Sequence, residues 1–219
     1  RAFEYIRVRT KAPDEIAFWI LVSLCGASLQ DKIMVPWSVK NIYPNLPLLI
    51  VSPSGRGKTG ALNICRELFE NYLPFQIAED STAESALRDF AWQGTRTPDG
   101  AVSVIWTVPE LADVFGKKDY QQGMIARITR LLDAPKNKEV SRMGNQGLRI
   151  QGYVLLNFIA CTTQEWLMLH VEEAVSTGGF LSRFFVILSD EKSKFIPDPR
   201  RDFEIEKSLQ IELGNILSK

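Results

Sequence analysis

Apolar residues fall along the chain in two rhythms. Four runs are predominantly apolar rather than alternating: 48–51, 101–108, 153–161 and 184–188. That is the pattern of strands covered on both faces, as in a parallel sheet. A shorter run at 75–78 reads as a further strand. Helical periodicity fills the intervals, over 60–69, about 82–92, 110–116, 121–133 and 164–177. The second of these opens on the capping-box signature Ser81-Thr82-Ala83-Glu84. Pro13, Asp14 and Glu15 open an earlier helix that runs to about Gln30 and is apolar on most faces, so it is largely buried. An amphipathic helix at about 203–217 closes the chain. Residues 1–10 alternate weakly (Phe3, Tyr5, Ile6, Val8) and predict a peripheral strand or arm. Residues 31–47, punctuated by Pro36, Asn41, Pro44, Asn45 and Pro47, predict an irregular connection, and 94–100 a loop. Strands separated by helices give a mostly parallel sheet with ligands at the carboxyl ends of its strands. The expected division is a helical extension over 1–47, an α/β core over 48–190, and a tail with a helix over 191–219.

Composition changes this picture little. Lys+Arg and Asp+Glu both number 26 in 219 residues, so a basic surface for nucleic acid must be local. Cys25, Cys65 and Cys161 lie far apart in apolar runs, without CxxC spacing, and read as core thiols of a reducing, cytoplasmic compartment. The longest apolar run, 16–25, is too short to span a bilayer, and nothing resembles a signal peptide. The chain begins at Arg1 without a methionine, which reads as a fragment of a longer protein. His170 reads as a helix-surface or packing residue.

The chemistry starts after the strand at 48–51. Four apolar residues there run into Ser52-Pro53-Ser54-Gly55-Arg56-Gly57-Lys58-Thr59 and then into the helix. Strand, tight loop and helix N-terminus in that order form a phosphate cradle of inward N–H groups and dipole charge. Ser54, Gly55, Arg56, Gly57, Lys58, Thr59 and Gly60 are therefore the candidate ATP-binding set. Lys58 would reach the β- and γ-phosphates, and the Thr59 hydroxyl would ligate Mg2+. Ser52 departs from G-x-x-x-x-G-K-[ST] at the first glycine, and the competing reading is a loop of similar composition that binds no nucleotide.

Two further strand ends carry candidates. Glu110 follows the 101–108 run and suits the polarising of an attacking water, or it caps the helix behind it. Pro109 stands where a metal-facing Asp is expected, and Asp113 is either a partial substitute or a plain helix residue. Thr162 and Thr163 offer a hydroxyl that senses the γ-phosphate, with Thr163 the candidate, or they cap a helix. Arg183, just before the last strand, is placed to act as a finger in a neighbour's site, or it is a packing residue. Residues 135–150 hold Lys136, Lys138, Arg142 and Arg149 around Gly144-Asn145-Gln146-Gly147. They read as a basic hairpin for a DNA backbone, or as a solvated basic loop.

The loop at 52–59, the strand ending at Glu110, Thr162-Thr163, Thr163-Gln164-Glu165-Trp166-Leu167 and Gly179-Phe180-Leu181-Ser182-Arg183-Phe184 together resemble the primase-helicase-type ATPases of phages, plasmids and integrated elements. Those look like AAA+ proteins related to superfamily 3 and minichromosome-maintenance helicases, and the resemblance spans roughly residues 14–190. It implies a P-loop NTPase fold of three layers, with a five-stranded sheet ordered 5-1-4-3-2. It also implies a hexameric ring with ATP between subunits and DNA in the pore, Glu110 catalytic, Thr163 sensing, Arg183 as finger and 135–150 as the pre-sensor hairpin. Ser52 and Pro109 depart from that pattern; Arg200 or Arg201 would serve as a second sensor. The leading expectation is an ATP- and Mg2+-dependent motor on single-stranded DNA. The alternatives are a nucleotide switch or assembly module with little turnover, and a small-molecule kinase, for which no lid or acceptor site is evident.

Overall fold

A computed structural model of the chain describes residues 1–79, 81, 83–97, 100–115, 121–136, 139–140, 148–169, 179–197, 200 and 202–217. The helices are α1 Ala2–Arg7, α2 Asp14–Leu29, α3 Lys58–Phe69, α4 Ala83–Gln93, α5 Leu111–Phe115, α6 Gln121–Leu132 and α7 Phe203–Leu217. The strands are β1 Val35–Trp37, β2 Lys40–Ile42, β3 Leu48–Val51, β4 Phe75–Ile77, β5 Thr95–Arg96, β6 Val102–Val108, β7 Glu139–Val140, β8 Leu148–Arg149, β9 Val154–Thr162 and β10 Phe185–Leu188. Residues 164–169 are also helical.

The main sheet runs β10-β3-β9-β6-β4, every neighbouring pair parallel. Numbered in chain order, those five strands stand as 5-1-4-3-2, the order that the family resemblance implies. The sheet has a sixth strand, β5, which pairs antiparallel with the start of β6. Two residues carry too little periodicity to announce a strand, so the loop expected at 94–100 is corrected to that extent.

Every residue of β3, β6 and β9 is buried, because side chains alternate into two separate cores. Leu49, Val51, Trp106 and Phe158 pack with α4, α5 and α6 on one face. Leu48, Ile50, Ile105 and Ile159 pack with α1, α2, α3 and α7 on the other. Helices on both faces of a mostly parallel sheet make this an α/β fold.

Two local expectations give way. Residues 2–7 are helical, not extended: Tyr5 and Ile6 are buried together and Glu4 pairs with Arg7 one turn on. The connection at 31–47 contains an antiparallel hairpin, β1–β2, with Trp37 opposite Lys40. Gly26 lets α2 approach the chain leading into β3, since a Cβ there would lie 2.0 Å from the Pro44 carbonyl oxygen. Among the described residues, no helix is long and apolar enough to cross a membrane. His170 and Arg201 lie outside the described residues.

Candidate functional site

Helix α3 starts where β3 stops, and the residues between form a cradle whose geometry follows from two glycines. Gly55 and Gly57 have φ of +77° and +80°, the region that favours glycine. Gly57 is the N-cap of α3 and is pressed on by the chain before α2: a Cβ there would lie 2.9 Å from the Ala12 nitrogen. Ser52 is not strained. Positive φ at non-glycine residues occurs, among the described residues, at Gln30, Ser38 and Ala134 only. The Ser52 N–H continues the sheet by donating to the Thr162 carbonyl at 3.1 Å. A glycine is therefore not required at this position.

Lys58 is 7 % exposed. Its amine donates to the Ser52 carbonyl and, at 3.1 Å, to the Pro53 carbonyl. Burial holds the amine below the ordinary lysine range, while neighbouring Cys161, Glu110 and Glu165 pull the other way. The Glu110 carboxyl is pushed above the usual carboxylate range by burial; Lys58 opposes that shift, Asp113 adds to it, and a bond from the Ala112 N–H opposes it. Cys161, wholly buried, has its thiol pushed up to about 12. Lys58 and Glu110 thus stabilise one another's charged forms, with the neutral Cys161 thiol beside them, where β3, β6 and β9 end. Two polar atoms of the loop are buried without a partner, Ser52 Oγ and Arg56 Nε. Thr59 and Gly60 are exposed on the first turn of α3, and Ser54 and Gly55 are exposed on the loop.

The other predicted residues are placed as follows. Glu110 precedes α5 and receives the Ala112 N–H, so it caps that helix as well as facing Lys58. Thr163 Oγ1 accepts the Trp166 N–H at 3.3 Å, a helix-capping bond that leaves its own proton to donate. Arg183 stands at the opposite end of the sheet. Phe185 is level with Leu48 and Leu188 with Val51, so about 13 Å of strand separates Arg183 from its own loop. It forks onto Asp133, Nε to Oδ1 at 2.8 Å and Nη2 to Oδ2 at 2.7 Å, and it donates to the Gly179 carbonyl at 2.8 Å. At that same end β7 and β8 pair antiparallel around residues 141–147. Lys136 and Arg149 are exposed at the base of this pair, with Lys136 Nζ 5.6 Å from the Tyr153 ring centroid. Lys138, Arg142 and the turn at 144–147 lie outside the described residues.

Sequence reasoning missed two groups beside the loop. Arg66 on α3 bonds Glu79 and, at 3.1 Å, Thr107 Oγ1, tying α3 to the ends of β4 and β6. Arg66 and Glu79 border a cleft of about 840 Å3 that Glu67, Glu70 and Gln210 also line. The segment after β10 straps the loop: Ser193 Oγ donates to the Gly55 carbonyl at 3.2 Å, and the Lys194 amine to Asp14 Oδ1 at 2.5 Å. The position of Glu79, just past a short strand, was the one available signal; the strap joins residues 138 apart and left none.

No protein-family model matches the chain, and no curated protein matches it either.

Proposed function

We propose that the chain is the nucleotide-binding motor domain of a P-loop ATPase of the AAA+ type. It would bind ATP with Mg2+ on the loop 52–60, hydrolyse it, and act on single-stranded DNA within a homo-oligomer. The observation that carries this reading is Lys58. A buried amine with only carbonyl partners, behind two left-handed glycines at a helix N-terminus, sits at the carboxyl end of a central parallel strand. Helix N-termini favour anions, and a phosphate gives Lys58 a charged hydrogen-bond partner in place of two carbonyls and gives Arg56 Nε the partner it lacks here.

The residues fit the phosphate better than the metal. Thr59 supplies a hydroxyl on the first turn of α3, and Glu110 is the nearby carboxylate; Pro109 contributes none. Bound Mg·ATP would supply the phosphoanhydride to be cleaved. The chain's part is to hold the phosphates with Lys58 and loop N–H groups, to orient water with Glu110, and to donate from Thr163. Arg183 would act on a neighbour after leaving Asp133, and Lys136 and Arg149, with Lys138 and Arg142, would meet the DNA backbone. Purified protein should turn over ATP faster with single-stranded DNA, and Glu110→Gln should cut turnover about 100-fold or more without weakening ATP binding. Equal turnover in the variant would remove Glu110 from the chemistry.

One set of contacts favours the second reading, a switch or assembly module with little turnover. Lys58, Glu110, Thr163 and Arg183 each already hold an intramolecular partner. On that reading ATP binds and is retained, and DNA leaves the rate unchanged.

A further inference from the structure

The hairpin β1–β2 is built inside out. Ile33, Met34, Val35, Trp37, Val39 and Ile42 are all exposed, Val39 at 94 % and Trp37 at 68 %. Its footing is nonetheless fixed. Tyr43 packs on Tyr153 with ring centroids 4.9 Å apart, Asn41 Nδ2 donates to Tyr153 Oη at 3.5 Å, and the Lys32 amine donates to the Leu217 carbonyl at 2.9 Å. A firmly rooted hairpin with no apolar side chain turned inward contributes nothing to either core of its own chain. The structure leaves that surface in need of a cover.

We propose that the cover is a second copy of this chain. Taking whole large side chains at about 150–250 Å2, the six together expose roughly 550–900 Å2, at or above the largest apolar patch a monomer normally tolerates. Two copies covering comparable areas bury about 1,200 Å2 or more, where stable protein interfaces begin. The chain also supplies a second uncovered apolar strip to receive it. Edge strand β10 presents Phe185, Val186 and Leu188, the last at 70 % exposure, and Phe185 continues into Trp19 and Phe18 of α2. A strand edge of this kind invites pairing with another chain. The hairpin's charge argues against the other occupants. Asp31, Lys32 and Lys40 leave it a net +1, too little to hold an anionic membrane or a phosphate backbone. The inference stands on the hairpin alone and survives failure of the nucleotide reading.

The test is the mass in solution, without nucleotide, across a dilution series. The wild-type chain associates as concentration rises. Trp37→Ser with Val39→Ser weakens that association about tenfold or more, while Met168→Gln, a swap at an equally exposed site, does not. Circular dichroism and melting check that the double variant is folded, and Val39→Lys alone gives the same loss through an unpaired charge in the contact. A wild-type chain that stays monomeric throughout overturns the proposal, as does a folded double variant that associates unchanged. Trp37-dependent binding to anionic vesicles or to an oligothymidylate, with no self-association, also overturns it. Lys58→Met, which weakens nucleotide binding on the proposed reading, leaves this association in place.

Discussion

At the scale of single residues, the loop separates what is strained from what only departs from a pattern. Ser52 stands where a first glycine is expected, yet its backbone lies outside the positive-φ region and its N–H belongs to the sheet. Ser52→Gly should therefore change stability by no more than about 1 kcal/mol, because the added freedom of the unfolded chain is offset by removal of a buried hydroxyl that has no partner. It should leave ATP affinity within about twofold, because the carbonyl that holds Lys58 remains in place. A tenfold gain in affinity on titration with ATP would show that the serine obstructs the loop.

At the scale of elements, close packing between backbones decides more than propensity does. Gly26 lies inside α2, where alanine is ordinarily worth about 1 kcal/mol more than glycine. Here the new Cβ would meet the Pro44 carbonyl oxygen at 2.0 Å, and neither backbone can yield cheaply. Gly26→Ala should destabilise by about 2–3 kcal/mol, read as a fall in the urea midpoint with an unchanged slope. An increase would mean that α2 and the chain before β3 are looser than this packing.

The elements also show why parts of the fold were legible in advance. β3, β6 and β9 are predominantly apolar on both faces because both faces are covered, and such runs reveal that directly. The hairpin β1–β2 is apolar and exposed, with Pro36 inside a strand, so neither alternation nor burial marked it. Residues 2–7 are too few to separate two periods, and α1 is held by long-range contacts of Tyr5 and Ile6. The loop, Glu110 and Thr163 could be placed because strand ends converge in a parallel sheet. The Arg183–Asp133 fork and the strap over Gly55 join distant residues, and no local pattern encodes such partners.

For the whole molecule, the two ends of the chain are clasped. Tyr5 donates to Glu206 at 2.5 Å, Arg1 pairs with Glu212, and the Tyr72 hydroxyl donates to the Gln210 carbonyl at 2.7 Å. Burial, reinforced by the bond to Glu206, pushes the Tyr5 hydroxyl up to about 12 from its ordinary 10. The folded state therefore favours the protonated form. That stabilisation is complete below pH 10, because the unfolded chain releases the proton first above it, and it is lost as pH rises toward about 12. Tyr5→Phe should be less stable at pH 8 by about 1–3 kcal/mol. Its deficit should shrink across the alkaline window, as followed by denaturant melts at stepped pH. A constant deficit would mean that the clasp does not depend on the phenol proton.

The central claim is that Lys58 awaits a phosphate, and calorimetric titration of ATP with Mg2+ into the wild-type chain and Lys58→Met tests it most directly. Methionine keeps the buried stem and removes a buried charge whose hydrogen bonds go only to carbonyls, so the variant should melt within a few degrees of wild type. The account predicts one ATP per wild-type chain and an affinity about 10–100-fold weaker in the variant, from the loss of a charge-assisted bond. Equal binding by the two proteins, or none by the wild type, would contradict it.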